Sequence, residues 1–153
     1  MGAQENVALA WSLFDLYNNR QSDPAWLDKS IALFAADAED IDVPSGTTLH
    51  GPDGHKRLLL FLVESFPDMR AELINAFATE DQVVLECTVR WNDTGPLYLP
   101  SGTLPNTRRP GKLRICFVFQ IRNGKVTSLH QYYDMMTQME QLGLVPAYGQ
   151  AAE

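Results

Sequence analysis

Residues 124–134, Gly124-Lys125-Val126-Thr127-Ser128-Leu129-His130-Gln131-Tyr132-Tyr133-Asp134, and the Gln141-Leu142-Gly143-Leu144 that follows carry most of the information in this chain. A Gly-Lys turn opens a strand, the strand ends in a polar and aromatic cluster, and a short helix from Met135 to Leu142 closes on Gln-Leu-Gly. Asp134 stands directly before that helix, where an aspartate caps the first free N–H groups. Upstream, Leu113, Ile115, Phe117, Phe119 and Ile121 alternate along one strand face. Asn123-Gly124 is a hairpin turn that pairs this strand with the last one.

Further out, Val83, Leu85, Cys87, Val89 and Trp91 make the apolar face of another strand, while Glu86, Thr88 and Arg90 face away. A strand over Met69 to Thr79 precedes it, with Leu73 and Phe77 sharing a face with Asn75. From Asn92 to Gly111, four prolines and three glycines make a long loop, of the length that often covers a site. The N-terminal part is helical in pattern. Val7, Trp11, Phe14 and Asn18 follow helical spacing, flanked by Ala10, Leu13 and Tyr17. Asp23-Pro24 is a cap and first-turn proline, which predicts a second helix running to about Ala36. A short strand carries Ile41 and Val43 on one face and Asp40 and Asp42 on the other, then stops at Pro44-Ser45-Gly46. Gly51-Pro52-Asp53-Gly54 opens a third, leucine-rich helix to about Ser65, which Pro67 ends. This order predicts one α+β domain over residues 1–153, with helices on one face of a mostly antiparallel sheet and residues 146–153 as a loose tail.

Twelve basic against nineteen acidic residues give a net charge of −7, which repels phosphate backbones and argues against a nucleic-acid partner. The longest apolar run, Leu58 to Val63, is far too short to cross a bilayer, so no membrane partner is expected. Met1-Gly2-Ala3-Gln4-Glu5 has no basic stretch followed by an apolar core, so no secretory leader is expected. Cys87 and Cys116 lie in strand-like stretches without metal-ligand spacing and read as reduced, packed thiols of a cytoplasmic protein.

Asp15-Leu16-Tyr17-Asn18-Asn19, Leu49-His50-Gly51-Pro52-Asp53, Ser65-Phe66-Pro67-Asp68 and the C-terminal stretch, taken in order, resemble the SnoaL-like polyketide cyclases, which have the nuclear transport factor 2-like fold. The resemblance implies a cone-shaped curved sheet, mostly antiparallel, packed on three N-terminal helices around an internal pocket. It also implies a homodimer through the outer sheet face, which here would include Glu86, Thr88, Arg90, Arg114 and Gln120 and so be fairly polar. In these cyclases the reaction is an intramolecular aldol closure of a polyketide ester, without metal or cofactor. One aspartate on the last strand serves as base and acid, and hydrogen-bond donors stabilise the enolate oxygen. Its position here is Gln131, and an amide cannot take up a proton at neutral pH. The assisting histidines of the cyclases fall at Phe117 and Asp93, and their substrate-orienting tyrosine on the first helix matches Tyr17.

By the same resemblance Gln131 and Tyr133, on one face with Leu129, line the pocket; parity alone equally allows His130, Tyr132 and Asp134 to face inward. Asp93, next after Trp91 on its strand face, is the best candidate base, with Gln131 as an orienting amide. It also reads as a solvated loop residue before Thr94-Gly95. His130, near Asp134, is a candidate acid or base, or else a strand residue facing solvent or a dimer partner. Tyr17, Trp91, Phe117, Tyr133 and Asp134 are candidate ligand contacts, although the aromatics also suit a plain core. His50 and His55 bracket Gly51-Pro52-Asp53-Gly54, but no third ligand stands at a recognisable spacing, so no metal is expected. Arg108-Arg109 reads as a solvated loop pair.

Two functions follow. One is a cofactor-independent cyclase or isomerase with an altered catalytic centre, acting on a small hydrophobic, carbonyl-rich substrate. The alternative is a non-catalytic protein that binds such a molecule. Epoxide hydrolysis, found on related folds, fits poorly, because Thr88 and Arg90 stand where its arginine and second aspartate would be.

Overall fold

The computed structural model describes residues 2–99 and 102–146. Helix α1 spans Ala3–Asn18, α2 Trp26–Ile31 and α3 Gly51–Ser65, with strands β1 (Phe34–Asp42) and β2 (Thr47–His50) between the last two. Strands β3 (Arg70–Ala78), β4 (Gln82–Trp91), β5 (Leu97–Leu99), β6 (Gly102–Leu104), β7 (Gly111–Arg122) and β8 (Lys125–Tyr133) follow, and α4 (Met135–Gln141) comes last. Six strands form one curved sheet in the order β2-β1-β8-β7-β4-β3, antiparallel except for the β1–β8 pair. The architecture is the α+β, nuclear transport factor 2-like fold that the sequence predicts.

Three departures from the sequence reading have physical causes. The second helix ends at Ile31 rather than near Ala36, because β8 captures the chain that follows. The Val126 N–H bonds the Leu33 carbonyl, Lys125 Nζ bonds the Ala32 carbonyl, and Phe34 enters the core. Tertiary pairing thus overrides the helix propensity of Ala32, Ala35 and Ala36. In β3 a bulge at Ile74 shifts the register between Leu73 and Asn75. Leu73 therefore pairs with the inward Cys87, while Asn75 and Phe77 pair with Glu86 and Val84 on the outer face, so Leu73 and Phe77 do not share a face. The long loop contains the β5–β6 hairpin. Of the predicted loose tail, residues 147–153 lie outside the described residues.

Helix α1 lies across the inner face of β3 and β4 and reaches β7 through its side chains, with Ala10 and Leu13 in one buried cluster with Val83, Leu85, Phe117 and Phe119. Asn18 fixes its end. The side-chain amide donates to the Ala71 carbonyl (2.8 Å) and accepts from the Ala71 N–H (2.9 Å), as a neighbouring strand would. A second cluster of Phe66, Trp91, Leu97, Leu113 and Leu142 closes the other end of the sheet. Between the two clusters the inner face is left open.

The outer face is less polar than the sequence reading expected. Across it run Phe77, Val84, Val118, His130 and Ile41 in register, and Tyr132 is exposed beside them.

Candidate functional site

The inner faces of β1 and β8 face the same way. In the parallel register Asp40 lies beside Leu129 and Asp42 beside Gln131, so both aspartates share the inner face and Ile41 the outer one. Asp40 is only 4% exposed. A buried carboxylate must be paired or hydrogen-bonded, and Asp40 is both. Its Oδ2 is 2.8 Å from His55 Nδ1, and its Oδ1 accepts from Gln131 Nε2 at 3.2 Å.

His55 reaches this position from the first turns of α3. Gly51 begins that helix at a φ of +68°, and a Cβ there would lie 2.9 Å from the Ala36 carbonyl oxygen, so glycine permits the close approach of α3 to β1. Phe34 stacks on the imidazole with ring centroids 4.0 Å apart. A carboxylate at Asp40 accepts from Nδ1–H, and Nε2 has no hydrogen-bond partner among the described residues; in the neutral imidazole with Nδ1 protonated, Nε2 is the nitrogen that carries the lone pair.

His55 lines a partly open cavity of about 190 Å³. Five residues singled out in the sequence also line it: Tyr17, Trp91, Phe117, Gln131 and Tyr133. Tyr17 comes from α1, and burial pushes its phenol up to about 12. The Tyr133 hydroxyl donates to Asp42 Oδ2 at 2.8 Å, and burial, then this hydrogen bond, raises its pKa well above the ordinary tyrosine value. Trp91 is anchored by its indole N–H on the Arg109 carbonyl (2.9 Å) and packs edge-on against Phe66.

Three sequence candidates lie elsewhere. Asp93 is outside the cavity wall; its Oδ1 accepts from the Thr94 N–H, and its own N–H bonds Asp68. His130 pairs with Val118 and Ile41 on the outer face. Asp134 caps α4, accepting from the Thr137 N–H and hydroxyl, and those bonds hold its carboxyl below the usual range. Among the described residues no three potential ligands gather into a metal site, and no helix is long and apolar enough to cross a membrane.

Asp40, Asp42 and His55 were missed as site residues. For His55 a signal existed: it shares a helical stripe with Leu59 and Leu62, the buried side of α3. For the aspartates the signal misleads, because Ile41 and Val43 look like the side that should be buried.

Residues 8–142 match the family model described as SnoaL-like polyketide cyclase. The chain belongs to that family. Solved structures agree on the fold. A SnoaL-like protein from Jannaschia sp. CCS1 is 19% identical, with a TM-score of 0.79 over 94% of this chain and 95% of that one. TerC, co-crystallised with polyporic acid, is 19% identical with a TM-score of 0.69 over 90% and 98%. An LEH-like epoxide hydrolase from M. tuberculosis is 15% identical with a TM-score of 0.68 over 92% and 90%. No curated protein matches the sequence. This member of the SnoaL-like family carries Gln131 on the last strand, hydrogen-bonded to a carboxylate supplied by β1.

Proposed function

We propose that this chain is an acid-base enzyme of the cyclase or isomerase type, acting on a small apolar carbonyl compound with groups of its own chain. His55 is the base, and Asp40 orients it. The observation that carries this reading is the buried Asp40–His55 pair at the wall of an apolar cavity, with Nε2 left free. A carbon acid next to a carbonyl loses its proton to Nε2, and the imidazolium so formed is stabilised by the adjacent carboxylate. The enolate oxygen is met by the Tyr17 hydroxyl, which burial keeps protonated. Proton return from Nε2 to carbon gives isomerisation or exchange; attack of the enolate carbon on a second carbonyl gives ring closure, the new alkoxide taking the proton back from Nε2. Gln131 is a positioning residue that fixes Asp40. The enzyme works as a homodimer through the outer sheet face, where Phe77 and Tyr132 are 58% and 45% exposed.

The test is α-proton exchange of β-tetralone in D2O, followed by NMR with the full chain. Catalysed exchange that disappears in His55→Gln is the expected result. Binding of β-tetralone without catalysed exchange would favour the non-catalytic alternative, in which loss of the last-strand aspartate left a binding protein.

A further inference from the structure

Helix α4 adds a wall residue that the acid-base chemistry at His55 does not use. Gln138 lines the cavity from the middle of that helix. Leu142, one turn further on the same helical face, is buried in a cluster with Trp91 and Leu113. Trp91 and Leu113 are themselves wall residues, so this is the face of α4 that turns toward the cavity. The helix is fixed at both ends. Asp134 caps its start, and the Gln141 amide accepts from the Lys112 N–H and donates to the Lys112 carbonyl, both at 2.8 Å. Gln138 is therefore carried by a docked element, which holds its side chain in a defined place.

The Gln138 side-chain amide has no hydrogen-bond partner among the described residues, and its atoms are not among the polar atoms sealed from solvent. The other polar side chains of the wall are engaged or sealed. Gln131 donates to Asp40, Tyr133 to Asp42, Trp91 to the Arg109 carbonyl and Arg70 to the Asn18 carbonyl. Gln138 thus brings the one wholly uncommitted amide of the described wall, with two N–H donors and an acceptor oxygen. It also stands apart from the Asp40–His55 pair. Phe117 is the cross-strand partner of Gln131, and Leu113 lies four residues before it on β7, about 13 Å at the rise of a strand. A ligand atom bound by Gln138 therefore belongs to a different part of the molecule from the carbonyl at His55.

We propose that Gln138 is a specificity-determining residue: its side-chain N–H donates to a second acceptor oxygen of the ligand, remote from the carbonyl at which His55 acts. This rests on the reading of the cavity as the substrate site. The class of ligand narrows to apolar compounds that carry two separated carbonyl-type oxygens, as in a diketone or a keto ester. A compound of the same shape without the second oxygen sets a hydrocarbon group against the amide and strips water from it without replacing the hydrogen bond, which is the basis of the selection.

The experiment is calorimetric titration of the full chain with β-tetralone, its ring-acetyl isomers, and the matching ring-isopropenyl compounds, in which a CH2 replaces the acetyl oxygen at nearly unchanged shape. At least one acetyl isomer should bind about threefold to tenfold more tightly than its isopropenyl counterpart, the size expected of one neutral hydrogen bond. In Gln138→Met, an unbranched side chain of similar length without a donor, that ratio should fall to about one. Gln138→Ala should do the same, and both residues are good helix formers, so α4 is kept. Binding of β-tetralone with no acetyl isomer preferred over its counterpart, or a preference that survives both substitutions, would overturn the assignment of Gln138 and leave the carbonyl pocket standing. If neither β-tetralone nor any derivative binds, the pocket reading falls, and this proposal with it. The acetyl and isopropenyl comparison in the wild-type chain refutes the proposal on its own if the two bind alike.

Discussion

His55 and Asp40 are bound to each other inside the protein: Nδ1 to Oδ2 is 2.8 Å, and the two side chains are 6% and 4% exposed. Removing one member of a buried pair strands the other, which typically costs about 3–5 kcal/mol. His55→Ala should therefore destabilise the fold by that order in urea denaturation. His55→Gln keeps an N–H for Asp40 but has no basic nitrogen. It should be clearly more stable than His55→Ala and still fail to exchange the α-protons of β-tetralone. Exchange at the wild-type rate in His55→Gln would remove His55 from the chemistry.

Tyr17 separates stability from function. Its hydroxyl is buried without a partner, so Tyr17→Phe should hold or raise stability, by up to about 1 kcal/mol, while weakening β-tetralone binding or slowing exchange. The pH dependence has a definite sign. The folded phenol is raised to about 12 from an ordinary 10, so between those values the unfolded chain gives up its proton first. Stability is fully present below pH 10 and drains as pH rises toward 12, by about 2–3 kcal/mol from this group. Wild type should lose more stability than Tyr17→Phe across that window. Parallel curves for the two would show that the phenol is not held in its neutral form.

The fold was largely legible because its signals are local. The Asn123-Gly124 turn has Asn123 at a φ of +52°, and β7 pairs with β8 across it through Arg122 and Lys125. The alternation of Val83 through Trp91 also names the buried face of β4 correctly. The site was legible only in part. Gln131 and Tyr133 were placed on the cavity side by resemblance, since strand parity could not choose. Asp40 was not found, because its inward direction is set by the pairing of β1 with β8, a contact 91 residues away from Gln131 in the chain. An Asp-Ile-Asp strand read alone suggests that the isoleucine is buried. The bulge at Ile74 is a further nonlocal fact, for it reverses the faces of β3 with no glycine or proline to announce it.

Asp93 and Asp134 make useful controls because both are engaged outside the cavity. Asp93→Asn keeps an oxygen for the Thr94 N–H and should leave exchange and β-tetralone affinity unchanged. Asp134→Ala removes the cap of α4 and should lower thermal stability without altering ligand affinity. The Asp134 carboxyl is held below its usual range, so its contribution is present above about pH 4 and lost as pH falls further. The stability gap between wild type and Asp134→Ala should accordingly narrow in acid. A large loss of β-tetralone affinity in either variant would place that residue in the site after all.

Gln131 occupies the last-strand position, and its amide is the one group there that can both donate to Asp40 Oδ1 and remain uncharged. Gln131→Glu replaces that donor with an acceptor at the same reach, 3.2 Å from Asp40. Two unit charges at this separation repel by about 5 kcal/mol at an effective dielectric of 20, and proton uptake by the pair limits the penalty to somewhat less. At pH 7 the variant should therefore be several kcal/mol less stable than wild type, with the deficit shrinking as pH is lowered and the pair takes up a proton. Adding Asp40→Asn puts the amide and the carboxylate in exchanged positions, which removes the repulsion and should restore most of the stability. Exchange activity should not return, since His55 then faces an amide instead of the charge that supports its imidazolium. If Gln131→Glu alone were as stable as wild type at neutral pH, Asp40 would not be the ionised partner of His55.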